Sequence, residues 1–259
     1  MAAEPTSAPG RARGALAVAL LGFVALRLRG QWEPYVALHR WLRDIGVSDG
    51  VRNLDGFAWM AILAVAAAAI AGGWRRTAST LGLMGSLPRG FGFAAIAALP
   101  MLAQDALAGD GVRIGVDALR GCVVAPFAEE LFFRGGLLAI AVRFAALPFW
   151  PCAILFGALF GLGHVPWNGT LGVAHAGVLA ATTAGGIWYG WLLRAHGWNL
   201  WATIGLHAAM NAAWSLFAVA DDAGGGLWAN IGRGGTIALG TWLTVRRTRR
   251  LGAQRDGAR

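Results

Sequence analysis

Residues 115–143 read GVDALRGCVVAPFAEELFFRGGLLAIAVR. A bilayer-spanning helix needs about 20 mostly apolar residues, and this run is long enough. Near its middle stand two adjacent carboxylates, Glu129 and Glu130, followed by Arg134. On a helix Glu130 and Arg134 lie at i, i+4 and can pair. Glu129 points about 100° away and has no partner on its own helix. Ionisable groups at such depth are costly and rare, so each is a functional candidate. The competing reading is a structural ion pair that holds two helices together.

The rest of the 259-residue chain agrees with a bilayer setting. Hydrophobic residues make up 57% and charged residues 14%, against about 25% charged in a soluble domain. That leaves too little polar surface for a soluble enzyme, and the hydrophobicity excludes intrinsic disorder. Seven further apolar stretches join 115–143, at about 14–29, 57–74, 91–109, 148–166, 171–193, 199–220 and 226–245. The expected fold is therefore all-α: a polytopic membrane protein of about eight transmembrane helices around an intramembrane cavity. The expected organisation is an N-terminal cytoplasmic tail (1–13), one transmembrane domain (14–245) with its core at about 115–220, and a basic tail (246–259). The first span ends in Leu26-Arg27-Leu28-Arg29, with no small-residue cleavage site, so it reads as an anchor.

All 22 basic residues are arginine, and the net charge is +9. They lie between apolar stretches and in Arg246-Arg247-Thr248-Arg249-Arg250, not in a groove-sized patch, which argues against nucleic acid as a partner. The arginine bias puts both termini in the cytoplasm of a bacterial inner membrane. Only 30–56, with Arg40, Arg43 and Arg52, votes otherwise. That segment spaces Val36, Leu38, Trp41, Leu42 and Ile45 as an interfacial amphipathic helix would, the alternative being a plain linker. Trp74, Trp150, Trp167, Trp198 and Trp228 fall near span ends, as interfacial anchors do. Cys122 and Cys152 have neither metal nor redox spacing and read as packing residues. Asp105, Arg113, Asp117 and Arg120, near outer span ends, read as interfacial or paired. Gly157/Gly161 and Gly186/Gly190 have the spacing for close helix contact.

Two more polar features stand inside apolar helices: His164, four residues after Phe160, and His207 with Asn211. If 115–143 and 148–166 form an antiparallel hairpin turning near Leu147, Glu129 and His164 reach one depth. A carboxylate facing an imidazole in a low-dielectric cavity can activate a water. His207 and Asn211 share a helical face and can donate to an oxyanion; interhelical glue is the alternative.

EExxxR (Glu129, Glu130, Arg134), FxxxH (Phe160, His164) and HxxxN (His207, Asn211), in this order, resemble the CPBP family of intramembrane proteases, which includes the type II CAAX prenyl endopeptidases. The stretches Gly186-Ile187-Trp188-Tyr189-Gly190 and Gly197-Trp198-Asn199-Leu200-Trp201-Ala202 also match. The resemblance covers about 121–214. It implies an endopeptidase acting on a peptide or protein in or beside the bilayer. In that reading Glu129 and His164 activate water, His207 and Asn211 stabilise the oxyanion, and Glu130, Arg134 and Phe160 give support. No cofactor is favoured; zinc, if bound, would take Glu129, His164 and His207. The rivals are a non-catalytic immunity or scaffolding protein of the same fold and a transporter. The arginine rule places the 167–170 loop, beside His164, outside. A protease for cytosolic prenylated tails would need the opposite opening, or one span fewer before 115–143.

Overall fold

The computed structural model describes residues 9–108, 111, 115–166, 172–217 and 226–256. Among these no residue is in a β-strand. The main helices are α1 (Pro9–Leu28), α2 (Glu33–Asp44), α3 (Leu54–Gly72), α4 (Leu87–Ala97) and α5 (Leu99–Ala108). They continue with α6 (116–143), α7 (Phe149–Gly163), α8 (Val173–Ala195), α9 (Leu200–Leu216) and α10 (Leu227–Asp256). Arg113, Trp167 and the 167–170 loop lie outside the described residues.

Each apolar stretch expected from sequence is helical, with three differences. First, α1 begins at Pro9 and α10 runs to Asp256, so residues expected in the two tails extend the helices. Arginine is a good helix former, and cations near a helix C-terminus complement its dipole. Second, the 91–109 stretch is broken: α4 and α5 meet at 45°. Pro100 has no N–H to give the Ile96 carbonyl, and its ring crowds that carbonyl. Third, α6 is not uniformly α-helical. It carries π-helical turns at Arg120–Val124 and Glu130–Ala139. Pro126 removes a backbone donor between them, a common cause of such irregularity.

Among the described residues one helix, Asp49–Gly72, is long and apolar enough to cross a membrane, and the bent α4–α5 pair is either a broken second span or a re-entrant loop. α1 packs along α3 through Ala12, Ala15, Ala19 and Phe23 against Leu63, Ala64, Ala67 and Ala71. The small residues let the axes approach closely. The outer face of α1 is apolar too, with Val18, Leu21 and Val24 exposed. A helix apolar all round belongs in a core or a bilayer.

α7 and α8 cross at close range. A Cβ on Gly186 would come within 2.8 Å of the Gly157 Cα, and one on Gly157 within 2.7 Å of the Ile187 side chain. The small-residue spacing is thus used for backbone contact. α9 is started by Asn199. Its Oδ1 accepts from Trp201 N at 3.2 Å and its Nδ2 donates to Ser86 O at 2.9 Å, fixing α9 to the start of α4. α2 is helical, as the amphipathic reading expected, and buries none of its residues. Trp74, Trp150 and Trp228 are exposed, whereas Trp198 packs partly against the core. Cys122 and Cys152 are buried and free.

The α8–α9 corner meets α10 through His196. Thr244 donates its hydroxyl to Gly240 O at 2.8 Å, so at 3.1 Å its oxygen accepts from His196 Nε2. Burial, helped by the charge of Arg247, pushes the imidazole down to about 4 from its ordinary 6.5. The folded protein therefore resists protonation that the unfolded chain accepts. This contact contributes fully above about pH 6.5, and its contribution falls as pH drops toward 4. We expect the wild-type melting temperature in detergent to fall across that window, by up to about 3 kcal/mol of stability. His196→Gln should flatten this part of the profile, and an unchanged profile would contradict the assignment.

Candidate active site

The site begins with a fully buried ion pair. Glu130 and Arg134 side chains are 0% and 2% exposed, with Arg134 Nη1 3.2 Å from Glu130 Oε1. The helical repeat of α6 brings them together, as the spacing predicted. A pair this deep loses its hydration and survives only if its remaining valences are occupied. The Arg134 guanidinium lies over the rings of Phe160 and Tyr189, at 4.4 and 5.3 Å, where cation–π attraction replaces part of the lost water. Its Nη2 also reaches Gly186 O at 3.5 Å. Glu130 Oε1 takes a second partner, His207 Nδ1, at 3.0 Å.

A carboxylate beside this ring nitrogen accepts its hydrogen bond, so Nδ1 carries the proton and donates. His207 Nε2 is the remaining edge, and it faces Glu129 Oε2 at 3.8 Å. His207 is thus bracketed by both glutamates and held laterally by Phe160 and Tyr189, whose ring centroids lie 6.2 and 5.5 Å away. Glu129 and His207 are 14% and 12% exposed, so they form the accessible side of the cluster.

His164 ends α7. Its Nδ1 lies 2.8 Å from Phe160 O. A carbonyl only accepts, so Nδ1–H donates there and a neutral ring leaves Nε2 as an acceptor. Glu129 and His164 line one cavity of about 230 Å³, together with Phe133, Phe160, Arg27 and Arg120. The hairpin reading thus brought these two to one place. Asn211 is elsewhere engaged: its Nδ2 donates to Gly121 O at 2.9 Å, tying α9 to the first π turn of α6. One of its two N–H groups is thereby used.

Three contributors were not singled out from sequence. Tyr189 lies within a quoted motif, but only its scarcity (two Tyr in the chain) could have flagged it. Thr203 is fully buried against the Glu130 carboxylate. Arg27, noted in the sequence only at the end of the first span, donates to Gly163 O and Val165 O at 3.2 and 3.1 Å. It clasps the carbonyls on either side of His164, where the end of α7 leaves acceptors unfilled. No local pattern reveals a partner more than a hundred residues away. Asp117 and Arg120 pair at 3.6 Å, as expected, while Asp105 is buried without a hydrogen-bond partner.

Zinc was the cofactor left open. Among the described residues no three His, Cys, Asp or Glu side chains converge as a metal set. Glu129, His164 and His207 lack that convergence, so no chemical step is routed through a metal here.

A polar cluster is thus buried in an apolar helical bundle and opens through a carboxylate and two imidazoles. Residues 112–213 match the family model described as type II CAAX prenyl endopeptidase Rce1-like. This segment, under half of the chain, is similar to a family of membrane peptidases and contains Glu129, Glu130, Arg134, Phe160, His164, Tyr189, Thr203, His207 and Asn211. No curated protein and no solved structure matches the chain.

Removing one half of a buried pair strands the other. Arg134→Met should cost about 3–5 kcal/mol of stability. Glu129→Gln, at a more exposed carboxylate with no ion pair to Arg134, should cost no more than about 1 kcal/mol. Thermal melts of the two variants in one detergent decide this. Equal losses would contradict the division between supporting and accessible carboxylate.

Proposed function

We propose that the chain is an intramembrane endopeptidase that hydrolyses a peptide bond in a membrane-bound or membrane-adjacent peptide, using a water activated by Glu129 and His164. The observation that carries this reading is the shared cavity. Glu129 offers carboxylate oxygens, and His164 Nε2 offers a lone pair because its Nδ1–H is committed to Phe160 O. One water can give an O–H to each acceptor, leaving an oxygen lone pair free for the scissile carbonyl. As that oxygen bonds to the carbonyl carbon, Glu129 takes the proton and the carbonyl π pair moves onto its oxygen. The second N–H of Asn211 supplies a donor for that oxyanion, and His207 Nε2 adds a second once it has received the proton from Glu129.

Glu129 lies 3.8 Å from His207 Nε2, so the proton has a short route to that nitrogen. The imidazolium so formed is stabilised by Glu130 through Nδ1–H, the role a buried carboxylate plays in a hydrolytic triad. It returns the proton to the leaving amine as the C–N bond breaks. Arg134 pairs with Glu130 and fixes it, and the Phe160 and Tyr189 rings keep Arg134 in place.

In this reading the chain crosses a cell membrane several times, about eight, with both termini cytoplasmic. The α3 span, the bent α4–α5 pair and the apolar outer face of α1 support a bilayer setting, and the count and orientation rest on the apolar stretches and arginine bias of the sequence. A non-catalytic scaffold would not need Glu129, His164, His207 and Asn211 together in helices that otherwise avoid polar groups. A transporter reading lacks paired interrupted helices in two repeated halves.

Cleavage of a panel of membrane-anchored peptides by purified wild type and Glu129→Gln tests the proposal. Wild type should cleave and the variant should lose at least about 10³-fold in kcat, a general-base loss, with its melting temperature kept. A chelator should leave the wild-type rate unchanged. Equal cleavage by both proteins, or none by either, would overturn it.

A further inference from the structure

At the end of the bundle away from His164, the N-terminus of α7, the C-terminus of α8 and the last turns of α10 enclose an open cavity of about 650 Å³. Arg194 and Arg247 line it, with Phe149, Trp150, Trp191 and Leu251 as apolar walls. None of its lining residues is acidic. Both guanidinium groups are held rather than loose. Arg247 donates to Ala195 O at 2.7 Å, and Arg194 stacks 4.6 Å over the Phe149 ring. Each side chain nevertheless keeps N–H donors beyond these contacts, since arginine has five.

We propose that this cavity binds the phosphate of an anionic phospholipid, with an acyl chain against Trp150, Trp191 and Leu251. Two fixed guanidiniums suit the planar, bidentate recognition of phosphate oxygens. The aromatic walls suit the boundary between headgroup and hydrocarbon. Basic pockets between helices on the cytoplasmic side are where anionic lipid headgroups seat, and the neighbouring Arg246, Arg249 and Arg250 add long-range attraction. A free phosphate would satisfy the arginines but leave the apolar walls unused, which is why a lipid is the favoured source of the anion. The site rests on the bilayer-spanning reading of the chain and not on the proposed catalysis. It lies outside the cavity that holds Glu129.

The test is the melting temperature of full-length protein in mixed micelles with phosphatidylglycerol, phosphatidylcholine or inorganic phosphate, for wild type, Arg194→Gln and the double variant Arg194→Gln/Arg247→Gln. Phosphatidylglycerol at roughly tenfold over its Kd should raise the wild-type melting temperature by about 3–5 °C. Arg194→Gln, which leaves the Arg247–Ala195 contact intact, should lose at least half of that rise, and the double variant nearly all. The other two additives should give no rise. Equal shifts in wild type and Arg194→Gln would overturn the proposal, as would the full shift with phosphate alone or with phosphatidylcholine. Failure of peptide cleavage would leave this readout untouched. Recovery of the protein without detergent would defeat the bilayer reading separately.

Discussion

Arg134 and Glu130 meet at 3.2 Å in a part of the molecule where neither touches solvent. An ion pair in that position is expensive, because each charge has given up its water and the partner repays this only with good geometry and further bonds. The surroundings of the site meet that demand in part, for Glu130 Oε2 is buried without a hydrogen-bond partner. Phe160 from α7 and Tyr189 from α8 cover the guanidinium, the Gly186 carbonyl accepts from it, and His207 from α9 takes the open lone pair of Glu130. Four helices are thus committed to one pair of charges. The ring of His207 is oriented as a result, and its second nitrogen is turned to the more accessible Glu129. The pair positions; the cluster's outer members are free to react.

The helix crossings follow from the same constraint. Gly186 brings both the acceptor for Arg134 and the close contact with Gly157, so α7 and α8 cannot separate without moving Phe160 and Tyr189. A π-helical stretch begins at Glu130, beside Glu129, and such turns recur at functional sites. At the far end of α7, Arg27 reaches across from α1 to the carbonyls beside His164. The N-terminal hundred residues, outside the matched family segment, thereby contribute to the geometry of the cavity.

Much of this was readable in the chain because membrane-depth charges are so few. The run 115–143 disclosed a helix, and i, i+4 spacing disclosed the Glu130–Arg134 pair. Hairpin depth placed Glu129 beside His164's cavity. Spacing could not assign His207, whose neighbours come from another helix: sequence put it with Asn211, yet it sits between the two glutamates while Asn211 holds Gly121. The break at Ala98 was foreshadowed by Pro100, but an apolar average over 91–109 hides a bend. The π turns, Thr203 and Arg27 leave no periodic trace, because they arise from contacts between distant segments. The end points of α1 and α10 were missed because helix propensity continues past the last apolar residue.

The central claim is that Glu130, held by Arg134, fixes the orientation and tautomer of His207. The ¹⁵N and ¹H resonances of the His207 imidazole, in protein labelled at histidine, report this directly. The account predicts a protonated Nδ1 whose proton is shifted downfield by its bond to the Glu130 carboxylate, and loss of that shift in Glu130→Gln. A His207 ring with bare Nδ1 and its proton on Nε2 in the wild type would contradict it.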